Sequence, residues 1–384
     1  MNAMEEWRLI DLGSAEPLIA QGFYEAVALA IDRGLAPNTI ILVQPSSPYV
    51  CIGYHQRLEE EIDLEYCRGR GLPIIRRYQG GGAVYLDSGQ VFYQVVGHEG
   101  SLPARVEELF EKLLQVTVYV YRKLGVEAEY KPINDVVVGG RKISGNGAGK
   151  IGRAVILVGN IILDFDYDSM VRVLRVPDEK FRDKVAKSMR EWLTTLKREL
   201  GYTPPVEEVK RLLREGYERM LGVKLRPSKP MEEEWSIFEE EVKPRHLSEE
   251  WLYMPEMRRG WVSGERMVKI ADGVRVVHIN HKAAKMIRVT AELREDEILD
   301  LLITGDFFMI PEDSLPRLEE MLKGARLNQE ELLRRVEAFY RETGVQTPGL
   351  KPQDFVDALM KLREAVERYL PSIRPSAESR EGVG

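Results

Sequence analysis

The stretch Arg76-Arg77-Tyr78-Gln79-Gly80-Gly81-Gly82-Ala83-Val84-Tyr85-Leu86-Asp87 decides how the 384-residue chain is read. It predicts two arginines at the end of a short strand, a tight turn of three consecutive glycines, and a second strand. Lacking side chains, the glycines let backbone N–H groups approach an anionic ligand closely. The guanidinium groups add charge and planar donors suited to phosphate or carboxylate. Three glycines alone would equally make an ordinary hairpin. The stretch matches neither Gly-x-x-x-x-Gly-Lys-Ser/Thr nor a Gly-x-Gly-x-x-Gly that opens a helix.

A second segment carries related chemistry. Asn134-Asp135 is followed by Gly139-Gly140-Arg141-Lys142-Ile143-Ser144-Gly145-Asn146-Gly147-Ala148-Gly149. Glycines on both sides allow Lys142 to lie against a ligand, where an ammonium can neutralise a phosphate and the charge developing on a carboxylate under attack. Asp135 suits Mg²⁺, which keeps most of its waters and needs only one or two carboxylates. The alternative is a hairpin with a surface lysine. A third segment runs from Val173 to Lys180 and on through Lys184, Lys187, Ser188 and Arg190. It reads as a basic loop-to-helix transition, and a solvated basic helix face would account for it equally well.

Around these segments, short β-rich runs alternate with helical periodicity. Thr39–Val43, Tyr49–Gly53, Pro73–Arg76, Gln90–Val96, Val136–Val138 and Ala154–Phe165 are expected strands. Gly22–Arg33, Ala104–Leu124, Asp178–Gly201 and Pro205–Leu221 are expected helices. Short connections between most strands favour a mixed, largely antiparallel α+β fold over a βαβ array. The acidic run Glu232–Glu241 reads as a solvated helix face near a boundary. A second unit follows, with strands at Trp261–Ile270, Val274–His281 and Met286–Leu293, a turn at Thr304-Gly305-Asp306, and helices at Leu315–Gly324, Gln329–Tyr340 and Pro352–Leu370. The expected divisions are a catalytic domain at 1–245, a smaller α+β accessory domain at 246–345, an extra helix at 346–371 and a disordered polar tail at 372–384.

Composition excludes several classes. With a net charge of -7 the chain lacks the basic balance of a general nucleic-acid binder. Two cysteines, Cys51 and Cys67, are too few for a disulfide framework or a cysteine-rich zinc site, and read as small buried hydrophobes. There is no apolar run of about 18 residues or more, and Met1–Gly13 is too polar for a signal peptide. The expectation is a cytoplasmic protein with no membrane and no nucleic-acid partner.

Taken together, the segments resemble the lipoate–protein ligase family, within the biotin/lipoate ligase and octanoyltransferase superfamily. The family's Arg-Arg-x-x-Gly-Gly-Gly-Ala-Val-x-His-Asp is similar to Arg76–Asp87, with Leu86 in place of the His. Its Asn-Asp and Gly-x-Lys-Ile-x-Gly are matched by Asn134-Asp135 and Gly140–Gly145. Tyr49–Gln56 resembles the strand that ends in Ile/Leu-Gly-x-x-Gln. Leu174–Arg190 is similar to the adenylate-binding loop and its helix. Ile303–Phe308 and the helices after it resemble the C-terminal accessory domain. Two further departures lie near where the family binds its acyl chain or adenylate: Asn146-Gly147-Ala148-Gly149 stands for Ser-Ala-Gln or Ala-x-Arg, and Val158-Gly159 stands for His-Gly.

The resemblance implies an ATP-dependent ligase that forms lipoyl-AMP and passes the lipoyl group to a carrier lysine. It implies that Arg76, Arg77, Gly80, Gly81, Gly82, Ala83, Val84, Tyr85, Asn134, Lys142, Gly145 and Lys180 bind ATP and the adenylate. His55, Lys142, Gly147 and Ala148 would bind lipoate, Asp135 would hold Mg²⁺, and Lys142 would be catalytic. The acid would be lipoate, with octanoate as the alternative. The carrier would be a 2-oxoacid dehydrogenase E2 domain, a glycine-cleavage H-type protein or a specialised lipoyl carrier. Rival readings are a cysteine-dependent octanoyl or lipoyl transferase, a biotin–protein ligase, and a non-catalytic acyl-nucleotide binding module. The transferase needs a thiolate beside the lysine; the resemblance implies that it would stand just before Asn134 or in the strand after the lysine loop, and Pro132-Ile133 and Gly152–Val158 contain no Cys.

Overall fold

The computed structural model describes residues 5–176, 182–254, 268–271 and 274–369. Lys180, most of the loop before it, the start of the strand expected at Trp261 and the tail from Ser372 lie outside the described residues. By internal contacts the chain divides into two compact units. The first comprises Met1–Trp261 with Gly305–Ser314 and Val345–Gly349, and the second comprises Val262–Thr304, Leu315–Gly344 and Leu350–Gly384.

The strands of the first unit are β1 (Glu6–Ala15), β2 (Thr39–Pro45), β3 (Tyr49–Ile52), β4 (Ile74–Arg76), β5 (Val84–Leu86), β6 (Gln90–His98), β7 (Glu129–Lys131), β8 (Asp135–Val138), β9 (Arg141–Ser144), β10 (Asn146–Ile151), β11 (Ala154–Ile162) and β12 (Lys224–Ser228). Its main sheet has the order β10-β11-β6-β2-β1-β12. β1 runs parallel to β2 and β12, and the other neighbours are antiparallel. Two small sheets, β4-β3-β5 and β7-β8-β9, carry the glycine turn and the lysine segment. The mixed, largely antiparallel α+β architecture expected from the sequence is therefore present.

Alternation along β6 puts Val91, Tyr93 and Val95 on one sheet face and Phe92, Gln94 and Val96 on the other. The first face packs against helix α4 (Val106–Lys123) through Leu109, Phe110, Leu113 and Leu114, all essentially inaccessible. The other receives α1 (Pro17–Asp32) through Phe23, Val27 and Ile31. Each such side chain contributes roughly 1.5–3 kcal/mol by leaving water.

Two helical expectations need correction. The helix expected over Asp178–Gly201 is two described helices, Arg182–Trp192 and Leu196–Leu200. It breaks because Thr194 N–H donates to the Lys142 carbonyl at 2.8 Å and the Thr195 side chain caps the second helix. The acidic run at Glu232–Glu241 is not wholly solvated: Glu234 is fully buried and pairs with Arg8.

In the second unit, β13 (Val268–Ala271), β14 (Val274–Lys282), β15 (Met286–Arg294) and β16 (Glu297–Gly305) form one sheet in chain order. The helices Leu315–Leu322, Gln329–Thr343 and Pro352–Tyr369 belong to the same unit.

Candidate active site

The sequence around the glycine turn folds as a brace beneath a loop. Arg76 closes β4 and is fully buried. Its guanidinium donates to the carbonyls of Gly53, Tyr54, Gln56, Trp251 and Leu252 at 2.6–2.9 Å. Arg77 donates to Gly80 and Gly82 carbonyls, both at 2.8 Å, and so holds the turn from inside. It also lies 3.6 Å from Cys51 Sγ. Gly81 has φ +95°, open to glycine with little strain. A Cβ on Gly53 would lie 1.9 Å from the Gly81 carbonyl oxygen, so this second glycine is required by close backbone approach.

Gln79 precedes the turn and is fully buried. Its Oε1 accepts from the Tyr24 hydroxyl at 2.7 Å. A Cβ on Gly147 would meet Gln79 Cβ at 3.3 Å, which places β10 against the turn. His55 stacks on Phe307, with ring centroids 4.9 Å apart and planes 18° apart. The Phe307 carbonyl accepts from Gly81 N–H at 3.4 Å, and a Cβ on Gly80 would lie 2.3 Å from the same oxygen. Glu312 is fully buried over Gly149, and burial pushes its carboxyl well above the usual carboxylate range.

The lysine segment departs from the expected glycine-rich loop: Lys142 lies in β9, and Gly147, Ala148 and Gly149 lie in β10. Lys142 Nζ pairs with Asp135 Oδ1 at 2.7 Å, both side chains about a third exposed. Asn134 is buried, and its amide donates to the Asn146 carbonyl at 2.7 Å. Gly145 N–H donates to Asn160 Oδ1, and Asn160 donates on to Gln90. Ala83 and Val84 follow the turn half-buried, and Tyr85 is buried, its N–H directed at Met170 Sδ at 3.1 Å. At the departures, Leu86 packs with Ile75, Tyr49 and Phe92, while Val158 packs against the α1-side core. Both sites that hold His in the resembled motif are thus apolar.

The structure brings Arg77, Gln79, Gly80–Gly82 and Gly147 together, and separately joins Asn134, Asp135, Lys142 and Asn146. β9 and β10 connect the two groups. Arg76 lies behind the turn with its donors directed at carbonyls. Gln79, Tyr24, Asn160, Phe307 and Glu312 had no assigned role in the sequence; Gln79 lay in plain view, at a variable position of the quoted motif.

The first unit is thus a mixed-sheet α+β domain that carries an arginine-braced glycine turn and a lysine–aspartate pair. Residues 16–218 match the lipoyl protein ligase A/B catalytic domain, and the chain belongs to that family. It is 30% identical over 274 residues to the octanoyltransferase LipM of Kyrpidia tusciae, covering 65% of this chain and 99% of that protein. Among solved structures it is similar to a bi-partite lipoate protein ligase studied with its E2 lipoyl domain from Thermoplasma acidophilum, with TM-score 0.58, 31% identity, and 65% and 96% of the two chains covered. It is also similar to a lipoate-protein ligase A bound with ATP, with TM-score 0.55, 26% identity, and 65% and 99% covered. The protein is accordingly an enzyme of lipoyl transfer. Among the described residues no helix is long and apolar enough to cross a membrane.

Proposed function

We propose that the protein is an ATP-dependent lipoate–protein ligase. A lipoate carboxylate oxygen attacks the α-phosphorus of ATP, pyrophosphate leaves, and lipoyl-AMP forms. The amine of a carrier lysine then attacks the acyl carbonyl, the amide bond forms, and AMP departs. The observation that carries this reading is the Lys142–Asp135 pair, with Lys142 on the strand that leads into β10, whose Gly147 packs against Gln79 just before the triple-glycine turn. Lys142 supplies positive charge to the carboxylate and α-phosphate, and the backbone N–H groups of Gly82 and Ala83, at the end of the turn, cradle the phosphate. Positioning and charge neutralisation are the enzyme's whole contribution; no covalent intermediate on the protein is needed.

Among the described residues no three His, Cys, Asp or Glu side chains converge to hold a metal. One carboxylate, Asp135, fits Mg²⁺ that arrives with the nucleotide and keeps phosphate and water ligands; bound there, it would screen phosphate charge. Lipoate is the assigned acid, with octanoate as the alternative. The acceptor is a lipoyl carrier domain, in keeping with the E2 lipoyl domain of the Thermoplasma system. Catalysis is assigned to residues 1–245, with 246–345 as an accessory domain, and the enzyme is assigned to the cytoplasm.

A thiol-dependent octanoyl or lipoyl transfer is the second reading, favoured by the likeness to LipM and by the contact of Arg77 with Cys51. Against it, burial pushes the Cys51 thiol up, only partly offset by Arg77, and Cys67 is pushed up to about 11. Both cysteines are fully buried. Pyrophosphate release from ATP and lipoate, measured for the wild type and for Cys51→Ser with Cys67→Ser, separates the two. The ligase reading expects release in both; no release from the wild type, together with cysteine-dependent acyl transfer without ATP, would establish the transferase.

A further inference from the structure

We propose that Tyr121 and Asn146 are positioning residues that set the Lys142–Asp135 pair, a proposal that rests on the role assigned to Lys142. β8 and β9 are out of regular register: Val136 pairs with Ser144 and Val137 with Lys142, so Ile143 is a bulge residue. A bulge leaves its extra residue outside the ladder and re-aims its neighbours. Here the carbonyls on the bulge are taken up from outside the small sheet. The Tyr121 hydroxyl, from α4, donates to the Ile143 carbonyl and accepts from Ile162 N–H at 3.0 Å. Thr194 N–H takes the Lys142 carbonyl. Tyr121 is fully buried, so no water can substitute for its hydroxyl.

The other member of the pair is fixed by a reciprocal clasp. Asn134 Nδ2 donates to the Asn146 carbonyl at 2.7 Å, and Asn146 Nδ2 returns a bond to the Asn134 carbonyl at 3.0 Å. Asp135 is the next residue. Asn146 Oδ1 accepts from the Tyr93 hydroxyl, which accepts from Thr117 at 2.6 Å. Ser144, two residues beyond Lys142, donates to the Asn160 carbonyl at 2.7 Å. The buried hydroxyls of Tyr121, Tyr93, Thr117 and Ser144 and the buried amides of Asn134 and Asn146 thus tie both partners of the charged pair to α4 and the main sheet. The pair itself is part-exposed. Its geometry is set by the network behind it.

The test uses the full chain with Tyr121→Phe and Asn146→Ala. Lysines are reductively methylated with ¹³C, and the Lys142 methyl resonance is assigned through Lys142→Arg. In both variants this resonance is expected to move away from its wild-type position toward that in Asp135→Asn. The kcat for pyrophosphate release from ATP and lipoate is expected to fall roughly 10- to 100-fold, with the KM for ATP held within about threefold. A Lys142 resonance unmoved in the folded variants would overturn the proposal, as would a kcat within about twofold of wild type. Unfolding of both variants would also overturn it, by making these residues supports of the whole fold. If the wild type releases no pyrophosphate at all, the ligase reading fails, and the resonance alone decides the positioning role.

Discussion

Gly53→Ala strikes the glycine turn from beneath. The added Cβ would lie 1.9 Å from the Gly81 carbonyl oxygen, 3.0 Å from its carbon and 3.2 Å from an Arg77 guanidinium nitrogen. An acceptable carbon–oxygen contact is about 3.3 Å, so the turn must shift by roughly 1.4 Å. Gly81 cannot move alone, because Arg77 ties Gly80 and Gly82 on either side of it. Overpacking of this kind destabilises by about 1–3 kcal/mol. For a unit of this size that lowers Tm by roughly 2–12 °C. A cradle displaced by more than about 1 Å should also lower kcat/KM by ~100-fold. Gly82→Ala is the control: among the described residues no heavy atom lies within 4 Å of its built Cβ. Its Tm should stay within about 1 °C of wild type, while a methyl added to the proposed phosphate cradle should weaken ATP binding. Circular-dichroism melts and pyrophosphate release measure both. A Gly53→Ala protein with wild-type Tm and kcat/KM would refute the account of the turn.

Glu312→Gln tests the buried carboxyl over Gly149. Its folded pKa is raised above its ordinary 4.5, so below that value both folded and unfolded states carry the proton and the group adds no pH dependence. As pH rises past 4.5 the unfolded chain releases its proton first, and wild-type stability falls until the folded pKa is reached. Urea unfolding across that range should show the Gln variant losing less stability with pH than wild type; parallel pH profiles would contradict this. Arg76→Ala should destabilise the first unit by about 3–5 kcal/mol, since it strips donors from buried carbonyls as well as removing the side chain. A chemical-denaturation midpoint equal to wild type would show that those carbonyls find other partners.

The glycine turn was legible because backbone geometry there admits little else: Gly81 needs positive φ and Gly53 has no room for a methyl. The strands around it alternate cleanly, and β2, β3, β4 and β6 stand close to where periodicity put them. The lysine segment takes a form that its glycine content does not suggest. Gly147 and Gly149 have low β-propensity and look like loop, yet both lie in β10, paired with β11 and packed under Gln79 and Glu312. Long-range contacts of this kind leave no local signature. The same holds for the break at Thr194, created by its bond to Lys142, and for Tyr121, which reads as one more apolar position of α4 until its hydroxyl is found on the bulge. β1, with Glu6, Arg8 and Asp11 among its residues, lacked the apolar run that marked the other strands.

Mass spectrometry of an E2-type lipoyl domain incubated with the enzyme, lipoate, ATP and Mg²⁺ bears most directly on the role of Lys142. Wild type should add one lipoyl group in an ATP-dependent manner. Lys142→Ala should add none while melting within a few degrees of wild type, because a part-exposed ion pair contributes at most about 1 kcal/mol. Lipoylation that proceeds without ATP, or undiminished in Lys142→Ala, would contradict the account.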